Sequence, residues 1–152
     1  MTADVIDVGV VGVGHLGRHH ARIYAELPGT RLVGVVDRDR ERAEAIAERH
    51  RCRVFDRPAD LIGQVRAASV AVPTEQHLAV AEPLLQGGVD LLIEKPLAST
   101  LDGVDRLLEL AERGSRVLMV GHTERFNPAV IALLRAVDAP RFFEIHRLAG
   151  FS

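Results

Sequence analysis

Tryptophan is absent from this chain of 152 residues, and the aromatic residues together make up only 4% of it. Proteins that bind single-stranded nucleic acid stack the bases on aromatic side chains, so the composition argues against that function. The formal net charge of −2 also lacks the basic excess that is typical of nucleic-acid binding. We therefore expect no nucleic-acid partner.

Cysteine and long apolar runs are also scarce. The single cysteine, Cys52, excludes an internal disulfide bond and is typical of a reducing cytoplasm. We interpret it as a small, partly buried residue rather than a reactive thiol. No segment approaches the roughly 20 apolar residues of a membrane span, and residues 1–10 lack the features of a signal peptide. The expected location is cytoplasmic, without a membrane partner.

The composition that remains is that of an ordinary globular domain, with 47% hydrophobic and 26% charged residues. Apolar strand-like segments alternate with helical ones, which predicts an α/β fold with a doubly wound parallel sheet, the Rossmann dinucleotide-binding fold. The predicted strands are Val5–Val11, Thr30–Val36, Cys52–Phe55, Ala67–Val72, Val89–Ile93, Arg116–Val120 and Arg141–Leu148. The predicted helices are Gly14–Leu27, Asp39–His50, Pro58–Gln64, Thr74–Gln86, a segment from Ser99 or Thr100 to about Gly114, and Pro128–Val137.

Two helices carry more detailed predictions. Thr74 is expected to cap the helix that it begins. In the helix after Thr100, a stripe of apolar residues at helical spacing is expected to face the core. That stripe consists of Leu101, Val104, Leu108 and Ala111.

A glycine-rich turn, Gly12-Val13-Gly14-His15-Leu16-Gly17, follows the first predicted strand and opens the first helix. It matches G-x-G-x-x-G in the strand–turn–helix context that dinucleotide binding requires. Gly12 allows the tight turn, Gly14 lets backbone N–H groups approach a pyrophosphate, and Gly17 lets the helix pack closely on the sheet. The N–H groups at the start of the helix, including those of His15 and Leu16, favour a bound phosphate.

A carboxylate stands about twenty residues beyond this turn, where the motif requires one. Asp37 follows the second predicted strand and can accept both hydroxyls of an adenine ribose. It would also repel a 2′-phosphate, which favours NAD. Arg38 and Arg40 lie beside it and could accommodate that phosphate, so NADP stays possible.

The carboxyl ends of parallel strands meet at one edge of a sheet, where ligands bind. Besides the glycine turn and Asp37, three segments fall at such ends. They are Pro73-Thr74, Glu94-Lys95-Pro96 and Gly121-His122. Five strand ends that feed one crevice predict a cofactor site better than any single motif does.

Together these segments resemble the Gfo/Idh/MocA family of nicotinamide-dependent sugar oxidoreductases over nearly the whole chain. The motifs that carry the resemblance are the glycine turn with His20, the segment Val72-Pro73-Thr74-x-x-His77, the tripeptide Glu94-Lys95-Pro96 and the turn Gly121–Pro128. The last of these is also similar to the turn of the branch that oxidises a hydroxyl of UDP-N-acetylglucosamine.

The resemblance implies hydride transfer between a sugar hydroxyl carbon and nicotinamide. It assigns catalysis to Lys95, whose positive charge would stabilise the alcohol oxygen, and implies a cis Lys95–Pro96 bond. It places His20 under the phosphate loop and leaves His77 either structural or functional. The further cofactor contacts that it implies are Pro73, Thr74, His77, Glu94, Lys95, Pro96 and Arg125.

The resemblance also divides the chain. Residues 1–125 are expected to form the cofactor domain, and residues 126–152 the crossover helix and first strand towards a C-terminal α/β substrate domain that is absent. Family members are roughly twice this length, and their second domain supplies an acid/base histidine and most substrate contacts. We therefore expect this chain alone to be inactive, the full-length form to be a homo-oligomer, and the substrate to be a sugar or nucleotide sugar. The alternative is a stand-alone NAD(H)-binding sensor or partner subunit.

Other histidines have plainer interpretations. His15 and His19 are four residues apart, as in zinc pairs, but no Cys, Asp or Glu accompanies them on that face. We expect no metal site there. His122 and Glu124 could form an acid/base pair, although a loop that lines the cofactor pocket is the favoured interpretation.

Overall fold

The computed structural model describes residues 5–139, 141, 142 and 144. The chain divides into two compact units, Met1–Gly121 and His122–Ser152. Most of the strand expected over Arg141–Leu148 lies outside the described residues, and the three described positions in it have no regular secondary structure. None of the described helices is long and apolar enough to span a lipid bilayer.

The described residues form six strands and five α-helices that alternate along the chain. The strands are β1 Ile6–Val11, β2 Thr30–Val36, β3 Arg53–Val54, β4 Ala67–Val70, β5 Asp90–Ile93 and β6 Leu118–Val120. The helices are α1 Gly17–Glu26, α2 Arg40–His50, α3 His77–Gln86, α4 Leu101–Gly114 and α5 Pro128–Ala136. Three short 3₁₀ turns cover Pro58–Leu61, Thr74–Gln76 and Thr123–Phe126.

All strand pairs in the described sheet are parallel, in the order β3-β2-β1-β4-β5-β6. This confirms the predicted Rossmann fold. The strand order reverses between β1 and β4, and a crevice forms at such a switch point.

The carboxyl ends of five strands lie level with one another. Val11 pairs with Val36 on one side and with Val70 on the other, and the register continues through Ile93 to Val120. The residues that follow these strands therefore stand in a row along one edge of the sheet. In spatial order they are Asp37, Gly12, Ala71, Glu94 and Gly121.

Each face of the sheet carries its own core, because successive strand residues point to opposite faces. Val10 is buried in the cluster that includes Ala21 of α1 and Ile46 of α2. Its neighbour Val11 is buried in the cluster of α3 and α4, which includes Leu107. The two clusters fix the sheet between two helical layers and hold the strand ends in place.

Of the stripe predicted for α4, Ala111 is buried as expected, but the prediction was wrong for Leu101 and Leu108. Leu101 is 81% exposed and Leu108 is 51% exposed. The residues buried along with Ala111 are Gly103, Leu107 and Leu110. A Cβ at position 103 would come within 3.1 Å of the Ala98 Cβ, so the face that carries the glycine is the one that packs most closely.

Other differences concern helix starts. The segment predicted as a helix over Pro58–Gln64 is a 3₁₀ turn over Pro58–Leu61. Thr74 does not cap α3: it begins a separate 3₁₀ turn, and the N-cap residue Gln76 makes no side-chain capping bond. Of the two residues at which α4 was expected to begin, Ser99 and Thr100, it is Thr100 that caps the helix: its hydroxyl accepts from the Gly103 N–H at 3.1 Å.

Cys52 lies half-buried between α2 and β3. Burial raises the pKa of its thiol to about 11. At neutral pH the thiol therefore stays protonated, and the thiolate is the nucleophilic form of cysteine.

Candidate cofactor site

The two outer glycines of the glycine turn are required by the protein itself. Gly12 has a φ of +81°, and a Cβ there would lie 2.7 Å from the Ala71 carbonyl oxygen. A Cβ on Gly17 would overlap the carbonyl oxygen of Gly12. Any side chain at these two positions would therefore force the turn and α1 apart.

Gly14 is different, because the protein leaves space beside it. The nearest atom to a Cβ at this position is Arg42 Nη1, at 3.8 Å, which is an ordinary contact distance. Its backbone is not in the left-handed region that favours glycine. The fold therefore does not require glycine here, and the open space fits a group that approaches the backbone from outside, as a pyrophosphate does.

The carboxylate of Asp37 anchors the glycine turn. The Val13 N–H donates to its Oδ2 at 2.8 Å, and the Asp39 N–H donates to its Oδ1 at 2.9 Å. A third and longer contact, 3.5 Å, comes from Arg42 Nη1. A carboxylate offers about four acceptor positions, so one on Oδ2 remains, and release of the long Arg42 contact would free a second.

A cleft of about 570 Å³ opens at the ends of β1, β2 and β4. Of the residues predicted to bind the cofactor, seven line it: Gly12, Gly14, His15, Leu16, Asp37, Arg38 and Pro73. Gly17 is buried behind the turn. The remaining predicted contacts are not among the lining residues.

The cleft also has walls that the sequence did not single out. Arg42 and Gln76 supply polar groups, and Val72 and Val80 supply apolar surface. Arg42 lies three residues after the α2 cap, Asp39, whose side chain accepts the Arg42 N–H at 3.1 Å. An aspartate before a helix can be recognised in a sequence as a cap, but the contact between the Arg42 side chain and Asp37 is visible only in the folded structure.

The tripeptide Glu94-Lys95-Pro96 follows β5, which pairs with β4 beside the cleft. The Lys95–Pro96 bond is cis, as the resemblance implies. Lys95 is exposed, and within the described part of the chain its ammonium group has no ion-pair partner.

A partly buried chain of hydrogen bonds holds Glu94. The Tyr24 hydroxyl is hydrogen-bonded to Ser69 Oγ at 2.7 Å, and Ser69 Oγ is hydrogen-bonded to His20 Nδ1 at 2.9 Å. His20 Nε2–H then donates to Glu94 Oε1 at 2.9 Å. A Cβ on Gly121 would come within 3.0 Å of the same carboxylate oxygen, so glycine leaves the space that Glu94 occupies.

His77 joins the loops that follow β4 and β5. Its side chain is buried, with Nε2 at 2.9 Å from the Val72 carbonyl oxygen and Nδ1 at 3.0 Å from that of Pro96. Both ring nitrogens are thus occupied within the protein. This arrangement favours the structural interpretation of His77, in which it positions the loop of Lys95.

Two more of the predicted contacts, Thr74 and Arg125, have other surroundings. Thr74 is half-buried at the start of its 3₁₀ turn. Arg125 belongs to the second unit, where its guanidinium carbon lies 5.5 Å from the centre of the Phe126 ring. In the same unit, Asn127 Oδ1 accepts the Ala129 N–H at 2.9 Å and caps α5.

Residues 6–122 match the sequence profile of a family described as an oxidoreductase family with an NAD-binding Rossmann fold. This chain belongs to the Gfo/Idh/MocA family. The match contains the whole cleft and the tripeptide after β5. The family assignment confirms the resemblance, and NAD is the family's cofactor.

Relatives of known activity extend well beyond the length of this chain. It is 44% identical over 144 residues to UDP-N-acetylglucosamine 3-dehydrogenase from Acidithiobacillus ferrooxidans, and the matched residues make up 94% of this chain and 45% of the relative. Inositol 2-dehydrogenase from Rubrobacter xylanophilus is 38% identical over a match that covers 87% of this chain and 39% of that relative. The chain thus spans less than half the length of these curated relatives.

Solved structures agree with these matches. The structure of the Acidithiobacillus ferrooxidans enzyme superimposes with a TM-score of 0.81 at 43% identity, over 86% of this chain and 43% of that one. GenD2 from gentamicin A biosynthesis, in complex with NAD, superimposes with a TM-score of 0.85 at 28% identity. The superposition covers 90% of this chain and 40% of GenD2.

Proposed function

We propose that this chain is the cofactor-binding domain of an enzyme that transfers a hydride between a sugar hydroxyl carbon and nicotinamide. The observation that carries the proposal is the open space beside Gly14, in a cleft that Asp37 also lines. A turn that served only the fold would gain nothing from that space. Membership of an NAD-binding oxidoreductase family supports the same function.

The residues of the cleft have distinct roles in this proposal. Backbone N–H groups at Gly14, His15 and Leu16, at the positive end of α1, bind the pyrophosphate. Asp37 accepts hydroxyls of the adenine ribose through its remaining acceptor positions. Its negative charge disfavours a 2′-phosphate, so we expect NAD to bind more tightly than NADP.

Lys95 is the proposed catalytic residue. The bound nicotinamide supplies the hydride acceptor or donor, and the ammonium group of Lys95 stabilises negative charge on the substrate oxygen. The contact between His20 and Glu94 and the contact between His77 and the Pro96 carbonyl hold the tripeptide from both sides. Arg125 and Thr74 remain proposed cofactor contacts.

The substrate class comes from the relatives. Their names specify a nucleotide sugar in one case and a cyclic polyol in the other. Since the more similar relative acts on UDP-N-acetylglucosamine, we propose a nucleotide sugar as the substrate of the whole enzyme. The second domain found in this family would supply its acid/base group and most sugar contacts.

Calorimetric titration of the chain with NAD and with NADP tests the cofactor proposal. We expect saturable binding of NAD with weaker binding of NADP, and loss of both in Gly14→Val. Absence of NAD binding to a folded chain would contradict the proposal. For the substrate, the matching test is turnover of UDP-N-acetylglucosamine and of myo-inositol by a version that carries the second domain.

A further inference from the structure

Lys95 is the only lysine in the sequence, and all the other residues in the combined count of 19 lysines and arginines are arginine. Its side chain is exposed, and among the described residues it makes neither a hydrogen bond nor an ion pair. No polar contact of its own therefore fixes the ammonium group. The position of Lys95 depends on the backbone of the tripeptide, and so on how its neighbours are held.

Glu94, the residue before Lys95, is tightly enclosed. It is only 8% exposed, and its Oε1 accepts from His20 Nε2 at 2.9 Å. Gly121 packs against the same carboxylate, since a Cβ at that position would lie 3.0 Å from Oε1 and 3.1 Å from both Cδ and Oε2. The carboxylate has little room to move, and the backbone beside Lys95 is held with it.

Two hydroxyl groups extend this contact into the fold. Ser69 Oγ lies 2.9 Å from His20 Nδ1, and the Tyr24 hydroxyl lies 2.7 Å from Ser69 Oγ. Ser69 is fully buried in β4, whose other residues are apolar. Replacement of both partners of a buried hydrogen bond by apolar groups can be nearly neutral for stability. The fold alone therefore does not require this pair of hydroxyls.

The imidazole of His20 does depend on them. Its Nδ1 contacts β4 through Ser69, and its Nε2 contacts the residue after β5, Glu94. A ring that is bonded at both nitrogens cannot rotate without the loss of a bond, so Nε2 stays directed at the carboxylate. Without the Ser69 hydroxyl, Nδ1 would lose its partner and this constraint on the ring would end.

We propose that the hydroxyl groups of Ser69 and Tyr24 are positioning groups for the reaction at Lys95. They act through the imidazole of His20, which orients the Glu94 carboxylate and with it the backbone from which the ammonium group extends. The inference rests on the proposed function, because it takes the role of Lys95 from there. Neither hydroxyl-bearing residue lines the cofactor cleft, so loss of a hydroxyl should lower turnover without weakening NAD binding.

Selective isotope labelling tests the transmission to Lys95. Because the chain has one lysine, a sample made with ¹⁵N-lysine gives a single backbone amide signal in a two-dimensional NMR spectrum, and that signal reports on Lys95. We expect it to move or broaden in Ser69→Ala and in Tyr24→Phe, without cofactor. Cooperative urea unfolding establishes that each variant is folded.

Two further variants serve as controls for this signal. Gly121→Ala should move it, because the added Cβ presses on the Glu94 carboxylate directly. Thr30→Val should leave it in place. That change also removes a hydroxyl, one that donates to two backbone carbonyl oxygens at 2.8 and 2.9 Å outside the chain of side chains that leads to Glu94.

Kinetics distinguish a positioning role from a merely structural one. In a version that carries the substrate domain, Ser69→Ala should lower kcat by about tenfold to a hundredfold, as expected when a reacting group is displaced by about 1 Å. KM for NAD should be unchanged, and Ser69→Thr, which restores the hydroxyl, should recover most of the activity. Calorimetry with NAD on the present chain should give the same affinity for Ser69→Ala as for the unaltered chain.

Three outcomes would count against these assignments. An unmoved Lys95 signal in folded Ser69→Ala, beside a moved one in Gly121→Ala, would overturn the positioning role. Equal losses of kcat and NAD affinity would also overturn it, because the hydroxyls would then support the fold as a whole. Absence of NAD binding by the unaltered chain would contradict the proposed function instead, and it is distinguishable because the amide signal is recorded without cofactor.

Discussion

Replacement of Gly14 separates binding from folding more sharply than any other change at the glycine turn. A Cβ at this position meets nothing closer than 3.8 Å, so Gly14→Ala should shift the free energy of unfolding by no more than about 1 kcal/mol, in the stabilising direction. The same Cβ occupies the space through which a pyrophosphate reaches the backbone. Loss of even one charge-assisted hydrogen bond there would weaken NAD binding by about 2 kcal/mol, or roughly thirtyfold.

The assay pairs urea unfolding with calorimetric titration of NAD. Gly14→Val, with a larger side chain, should bind no measurable NAD and still unfold in one cooperative transition. Gly17→Ala is the contrasting variant, because its Cβ would overlap the Gly12 carbonyl oxygen and should destabilise the fold severely. Unchanged NAD affinity in a stably folded Gly14→Val variant would refute the assignment of the cleft.

Four further predictions test separate parts of the structure. Asp37→Ser should shift the preference from NAD towards NADP, and an unaltered affinity ratio in calorimetry would mean that Asp37 does not contact the ribose. Lys95→Ala, in a version that carries the substrate domain, should lower turnover far more than NAD affinity; equal losses would reduce Lys95 to a binding residue. Leu107→Ala should lower the free energy of unfolding by about 2–5 kcal/mol, whereas the exposed Leu108→Ala should change it by less than about 0.5 kcal/mol. Cys52 should react slowly with iodoacetamide at pH 8, because its pKa of about 11 leaves little thiolate, and rapid alkylation of the folded chain would contradict its burial.

The strands and the glycine turn were predictable because their signals are local. β2 covers Thr30–Val36, as predicted, since a run rich in β-branched residues stands between a Pro-Gly turn and an aspartate. The spacing of the glycines in the dinucleotide motif likewise predicts a strand, a tight turn and a helix. At these positions the local sequence is enough to predict the local structure.

The buried face of α4 was not predictable in this way, because two apolar stripes run along that helix. Periodicity favoured the stripe with Leu101 and Leu108, which has a leucine at the start. The fold instead buries the stripe with Gly103, a residue that adds no hydrophobicity but permits close approach. The choice between the stripes depends on the neighbouring backbone, which the sequence of the helix does not contain.

The hydrogen-bond chain behind the tripeptide is a second example of information that only the fold supplies. Ser69 lies in β4, which reads as a strand with apolar faces, yet its side chain is fully buried. Its partners, His20 and Tyr24, are 49 and 45 residues away. Their spacing of four residues places both on one face of α1, but it does not indicate that this face meets a hydroxyl group of β4.

The proposed function makes Asp37 a link between the stability of the glycine turn and cofactor binding. Its carboxylate accepts the N–H of Val13, which is itself buried, so the turn has its binding shape before a ligand arrives. Such preorganisation removes part of the ordering cost of association. Asp37→Ser should therefore lower the free energy of unfolding by about 1–3 kcal/mol, because two backbone donors lose a charged acceptor. A loosened glycine turn should weaken the binding of NAD and of NADP by the same factor, whereas loss of the Asp37 charge should change the ratio of the two affinities. Calorimetry with both cofactors therefore separates the two proposed roles of this side chain.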